Sequence, residues 1–460
     1  MTITKSTKDY FRSLKKGDKI VWMIIILLLI ISSIVMFSST SKLITDEMNS
    51  ATNSRIDIFI EQIGIIIFGS FLIGVCYLIP SIKIFRILSQ FGWLISMLFL
   101  FLLITNFGAA INITAETING ATRTLKIAGK QIHVYEIVKV SMIMYLAWAI
   151  QTYKKNKFWI INKLSSKYKK LKFLKQKVWQ VWLYIFMPMG STVILIFMGG
   201  ASSAVFIGLT MLITIFIGGI EKEYYYQIIF LIVILFGSIV LINRVSGGKQ
   251  FSRINTVFSR VSTDNMEIIE TAPENSLEFQ KAIDKLRQPE GAKIAIKEGG
   301  LIGKFPGNST QKYVVSNIYN DYVYSFIIEE YGIFGAFVIL LIYGSLLARG
   351  ILIVSKSTGV FEKTAVGGLV ILISGQAMFH MVVNADFGIL TGQTLPLISH
   401  GASSFICFSI ALGVILAISK LTTDKIDKYK DALGPIPGSG DDINDGLNDL
   451  DAFEGDNNYE

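Results

Sequence analysis

Three carboxylates crowd into the stretch "DYVYSFIIEEYG": Asp321 before a long apolar run, and Glu329 and Glu330 inside it. An acid in such a place has two ordinary uses. It can take a proton from a hydroxyl brought within hydrogen-bond reach, or it can cap the first turn of the helix that follows. Capping is the commoner use, and the two do not exclude each other. At the lip of an apolar segment Asp321 is expected at a membrane surface, free to ionise. Glu329 and Glu330 lie about 12 Å deeper by helical rise. Neighbouring helix residues point about 100° apart, so one structural ion pair and one cavity-facing acid are expected there.

Other residues carry chemistry at readable spacings. Glu136 and Lys139 are three apart on one helix face, either paired with each other or lining a polar cavity where Lys139 meets an anion. "GGLIGKFPGN" (299–308) is glycine-rich with a lysine, yet it lacks the Gly-Lys-Ser/Thr ending of a phosphate loop. "GQTLPLISHGASS" (392–404) is a second glycine- and serine-rich stretch. Cys76 and Cys407 sit in apolar segments and read as small core residues. His133, His380 and His400 are not spaced as metal ligands.

These groups must be positioned by membrane helices. Hydrophobic residues make up 52% of the 460 and charged residues 17%, too apolar for an ordinary soluble domain. The apolar blocks are near twenty residues long, the length that crosses about 30 Å of hydrocarbon. The expected fold is an all-α polytopic membrane protein of about ten spans, starting near Ile20, Ile58, Leu88, Val134, Gln180, Ala204, Gln227, Tyr322, Thr364 and His400. Residues 1–19 are basic, and residues 153–178 hold ten lysines and no acid. Both belong in the cytoplasm by the positive-inside rule, which places both termini inside. The membrane domain is expected over 20–420, with a large extracytoplasmic loop at 244–320 between spans seven and eight. The last twenty residues carry eight acids and no base, so 421–460 read as an acidic, disordered cytoplasmic tail. The net charge of +9 reflects membrane orientation and gives no reason to expect nucleic acid.

Several motifs in order resemble the SEDS family (shape, elongation, division and sporulation), which includes FtsW and RodA. They are "GATRTLKIAGKQIHVYEIVK" (120–139), "KIAIKEGGLIGKFPGNSTQK" (293–312), "NDYVYSFIIEEYGIFGA" (320–336) and "LTGQTLPLISHGASS" (390–404), within a likeness running over about 15–420. The resemblance implies a peptidoglycan glycosyltransferase that polymerises lipid II at the outer face of the cytoplasmic membrane. It places Asp321 as the catalytic base. It puts Arg123, Glu136, Lys139, Lys312, Ser399 and Ser403 at the substrate, with Glu329, Glu330, Gln376 and Pro396 in support. The pyrophosphate leaving group implies cationic help from Arg123, Lys139 and Lys312, or a divalent ion such as Mg or Mn. A class B penicillin-binding protein and other divisome proteins are the implied partners. An FtsW-like septal role is the leading expectation, beside RodA-like elongation, a lipid II flippase and a non-catalytic scaffold. Departures from the family pattern are "HVY" before Glu136, Phe305 where glycine is usual, and His380 where asparagine is expected. "MGGASSAV" also lacks the acid often found before the small residues of span six.

Overall fold

In hydrocarbon every backbone N–H and C=O must be bonded within its own segment, so long apolar blocks fold as helices. The computed structural model describes residues 17–39, 55–105, 108, 113–118, 121–127, 129–158, 161, 163, 165, 167–229, 276–315, 318–387 and 392–433. Its helices are α1 (Lys19–Ser39), α2 (Arg55–Leu78), α3 (Ile82–Thr105), α4 (Val134–Lys154), α5 (Lys177–Gly199, with a π turn at Trp182–Phe186), α6 (Ala201–Gly218), α7 (Leu277–Gly299), α8 (Val323–Lys356), α9 (Val360–Asn384) and α10 (Ala402–Leu433). All but α7 are long and apolar enough to cross a membrane, which makes nine among the described residues. The chain is a multi-pass membrane protein. The expected seventh span, the loop up to residue 275 and the tail beyond 433 lie outside the described residues.

Burial sorts the bundle. In α4, α10 and α9, 83%, 78% and 72% of the spanning window is buried, against 17% for α2 and 22% for α3. The first three form the centre, and α2 and α3 face outward. The chain enters at the lysine-rich end of the bundle. There Asp18 accepts hydrogen bonds from the Ile20 and Val21 N–H groups (3.0 and 3.1 Å), capping α1, and pairs with Arg349 of α8 at 2.6 Å.

The helical bundle is as expected, and three features refine it. First, a small sheet joins the helices. β1 (Ile113–Ile118), β2 (Ala121–Ile127) and β3 (Lys130–His133) form an antiparallel sheet in the order β1-β2-β3, with Ile113 opposite Ile127 and Leu125 opposite Ile132. Their β-branched, alternating residues suit a half-covered sheet, and the sheet lies between α3 and α4 at the end opposite the lysines. Second, the expected loop at 244–320 contains α7. Third, α10 runs past residue 421 to Leu433, so any tail begins later than expected.

The glycine-rich stretch "GGLIGKF" has a structural use. At Gly332, φ +68° and ψ −171° break α8. The carbonyls of Glu329 and Glu330 thereby lose the helical N–H partners four residues on. Lys304 and Phe305 N–H donate to them instead, both at 2.9 Å. In return Ile333 N–H donates to Gly300 O (3.0 Å) and Phe334 N–H to Leu301 O (3.3 Å). The loop thus closes the break bond for bond, as backbone away from water requires. Gly303, at φ +86°, sits where a Cβ would come within 2.3 Å of the Glu330 carbonyl oxygen, so no side chain fits.

Candidate functional site

Asp321 lies one residue outside the N-cap of α8, Tyr322, which makes no side-chain cap bond. The cap comes from another helix. Asn384, the last residue of α9, accepts from the Ser325 N–H at 3.1 Å and the Ser325 hydroxyl at 2.9 Å. Its amide donates to the carbonyls of Asp321 and His380, both at 3.0 Å. The capping role open to Asp321 is therefore already filled. Part of Asp321 stays accessible, but its Oδ1 is buried with no hydrogen-bond partner among the described residues. Burial raises the carboxyl above the ordinary aspartate range, and the charge of Arg123 partly opposes this. The expectation that Asp321 ionises freely is corrected accordingly.

Arg123 reaches the site from β2. Its Nη1 donates to the Gly392 carbonyl at 3.1 Å, and its Nε is buried and unpartnered. The "LPLIS" segment is laced to the same place. The Ser399 hydroxyl accepts from Leu395 N–H and donates to the Asn320 carbonyl, both at 2.8 Å. The Pro396 carbonyl accepts from Tyr343 OH. Ser403 Oγ accepts from His133 N–H at 3.2 Å, joining α10 to the start of α4. Both serines spend their hydroxyls on backbone groups, an arrangement that positions the segment.

Lys139 forms a second polar cluster, deeper in the bundle. Its ammonium donates to Glu136 Oε1 (2.7 Å), Gln376 Oε1 (2.7 Å) and Gln393 Oε1 (2.8 Å), which uses all three of its N–H groups. Gln376 passes the chain on to Thr394 O (2.9 Å), and Gln393 to Ser203 Oγ (2.8 Å). Glu136 keeps one buried oxygen without a partner. His380 Nδ1 bonds the Gln393 carbonyl at 2.6 Å, and its Nε2 is buried and unpartnered.

Glu329 and Glu330 belong to a third cluster, and neither is exposed. Glu329 binds Lys304 Nζ (3.0 Å), Ser309 Oγ (2.5 Å) and Thr310 N–H (2.8 Å), the expected structural pair. Glu330 Oε1 accepts from Ser38 Oγ of α1 (2.6 Å) and Gly307 N–H (2.9 Å). The expectation that one of them faces an open cavity is corrected: both hold the 304–311 loop. Lys312, proposed as a cation for the leaving group, is also drawn into this loop. It is buried and donates to Gly307 O at 2.7 Å.

The structure thus gathers Asp321, Arg123, Ser399 and Asn384 at one end of the bundle, sets Glu136, Lys139 and Gln376 together beneath, and joins Glu329 and Glu330 of α8 to the adjoining loop that carries Lys312. Sequence reading missed Asn384, Gln393 and Ser203. Gln376, His380 and Asn384 recur every four residues along α9, and that polar stripe in an apolar helix was the available signal. Among the described residues no three His, Cys, Asp or Glu side chains come together as a metal cage.

Known proteins share this chain's fold and parts of its sequence. The chain is 35% identical over 124 residues to the probable peptidoglycan glycosyltransferase FtsW of Caulobacter vibrioides (strain NA1000 / CB15N), covering 27% of this chain and 32% of that protein. It is 33% identical over 127 residues to stage V sporulation protein E of Bacillus subtilis (strain 168), covering 27% and 35%. It is 28% identical over 129 residues to the peptidoglycan glycosyltransferase MrdB of Escherichia coli (strain K12), covering 28% and 35%. These alignments span about a third of each relative. Among solved structures, a chain of a peptidoglycan synthase complex superposes with a TM-score of 0.58 at 17% identity over 88% of this chain and 98% of that one. The rod shape determining protein RodA of Thermus thermophilus gives 0.51 at 16% identity, over 88% and 97%. At such identities the superpositions establish the fold. The family model described as "Cell cycle protein", FtsW/RodA/SpoVE, matches residues 19–424, and the chain belongs to that family.

Proposed function

We propose that this protein is a peptidoglycan glycosyltransferase that polymerises lipid II at the outer face of the cytoplasmic membrane. The observation that carries this reading is Asp321, a carboxylate with a buried oxygen unpartnered among the described residues and within the field of the Arg123 charge, at the end of the bundle away from the lysine-rich loop. Asp321 accepts the proton of the sugar 4-hydroxyl as that oxygen attacks C1 of the other lipid-linked sugar. The C1–oxygen bond to undecaprenyl pyrophosphate breaks, with inversion at C1. Arg123, whose charge acts on Asp321, is the cation to receive the developing negative charge. Lys139, with its three donors already committed, shapes the floor. A divalent ion brought by the pyrophosphate would add Lewis-acid stabilisation.

The likeness to FtsW supports a septal role, with a class B penicillin-binding protein as the crosslinking partner. The solved neighbour's place in a complex that polymerises and crosslinks peptidoglycan supports such a partner. Likeness to MrdB keeps an elongation role as the second reading. The test is polymerisation of labelled lipid II by the full chain with its transpeptidase, with and without chelator. Asp321→Ala should abolish polymer while leaving fold and partner binding intact. Full activity in that variant would remove the base assignment, and lipid II transfer across vesicles without polymer would favour a flippase. If only removal of residues 434–460 matters, the protein is a scaffold.

A further inference from the structure

Asn384 is saturated. An amide offers two donors and two acceptor sites, and here the oxygen takes the Ser325 N–H and hydroxyl while the nitrogen gives to the Asp321 and His380 carbonyls. The residue is buried, and it comes from α9 to complete the first turn of α8. An aspartate so close to a helix start is itself a strong capping group. Without that acceptor the Ser325 N–H, four residues on from Asp321 at the same helix start, would be open to the Asp321 carboxylate.

We propose that Asn384 is a positioning residue: by capping α8 from α9 and gripping the Asp321 carbonyl, it keeps the Asp321 carboxylate off its own helix and free for substrate. The role of that carboxylate rests on the reading given above, but the geometry does not. Among the described residues the charge of Arg123 from β2 acts on Asp321, and the adjacent Tyr322 feels both Asp321 and Asp386, just beyond α9, which is itself paired with Lys293 of α7 at 3.0 Å. None of them caps α8.

A hydrogen bond from a backbone N–H favours the ionised form of a carboxyl group, whereas a second carboxylate nearby disfavours it. Removing the cap and replacing it by an acid should therefore move Asp321 in opposite directions, which a general packing defect would not do. The measurement is an infrared pH titration of the purified full chain, reading the protonated-carboxyl band that disappears in Asp321→Asn. In Asn384→Ala the midpoint should fall by about one pH unit, the size expected for one such bond. In Asn384→Asp, which keeps an acceptor for Ser325, it should rise. Lipid II polymerisation should drop about tenfold or more in Asn384→Ala, mostly in kcat, and recover in part in Asn384→Asp at raised pH. An unmoved midpoint in both variants overturns the proposal. If Asn384→Ala does not fold, an unmoved or lowered midpoint in Asn384→Asp alone overturns it. If Asp321→Asn still polymerises lipid II while the midpoints shift as stated, the base assignment fails and the positioning role of Asn384 stands.

Discussion

Gly332 and Leu301 touch backbone to backbone: a Cβ on Gly332 would lie 2.2 Å from the Leu301 carbonyl oxygen. Gly332 also holds a left-handed φ of +68°. Gly332→Ala should therefore destabilise the protein by about 2–4 kcal/mol, combining overpacking with left-handed strain. Gly344, in the same helix, has open space around it. Gly344→Ala should be neutral or stabilising by up to about 1 kcal/mol. Thermal melting of both variants in detergent distinguishes a specific contact from a general intolerance of α8.

Phe305 is the converse case. It is 64% exposed and sits at φ +69°, a conformation that costs a residue with a Cβ about 1–2 kcal/mol. This explains why glycine is usual at that position in the family the sequence resembles. Phe305→Gly should raise the melting temperature. An equal or lower value would mean that the ring contributes more than the strain costs.

Glu329 and Glu330 should respond differently to amidation. Glu329 uses both oxygens, Oε1 for Thr310 N–H and Lys304 and Oε2 for the Ser309 hydroxyl. Glu330 uses only Oε1, and its Oε2 has no partner. A glutamine can keep every bond of Glu330, but at Glu329 it loses the negative charge facing Lys304 and keeps the Ser309 contact only if that hydroxyl reverses to accept. Glu329→Gln should cost about 1–3 kcal/mol, and Glu330→Gln less than about 1 kcal/mol. Limited proteolysis within 300–312 reports loop release directly.

Lys139 and Glu136 form a buried pair at 2.7 Å. Removing one partner leaves an uncompensated charge, so Lys139→Met alone should cost about 3–5 kcal/mol. Lys139→Met with Glu136→Gln should cost less than Lys139→Met alone. A double-mutant cycle by melting measures the coupling, and strict additivity would show that the pair is not energetically linked.

The pH dependence follows from Asp321. Burial lifts its carboxyl above the ordinary value of about 3.9. The base acts when ionised, so the acid limb of kcat/KM should lie above the ordinary carboxylate range, with activity rising as pH rises through it. Stability runs the other way. A raised folded pKa gives a stabilising contribution present below the unfolded value and lost as pH rises through the folded one. Asp321→Asn should therefore melt higher than the native protein near pH 7, and the advantage should shrink below about pH 4.

The nine described spans, the lysine-rich end of the bundle and the residues able to carry charge were legible in the sequence. Hydrocarbon demands long apolar helices and penalises every ionisable group left within them, so composition alone exposes both. The β1–β3 sheet was not legible, because its short alternating strands are bounded by apolar helices that dominate any window. Nor was the use of each acid. Whether Asp321 caps α8 depends on what stands opposite, and Asn384 lies 63 positions away in the chain. The same holds for Lys139, whose acceptors Gln376 and Gln393 come from 237 and 254 positions away. Sequence determined which groups are costly to bury. Only the packing of α4, α8, α9 and α10 decided which of those groups found partners and which, like the Asp321 Oδ1, did not.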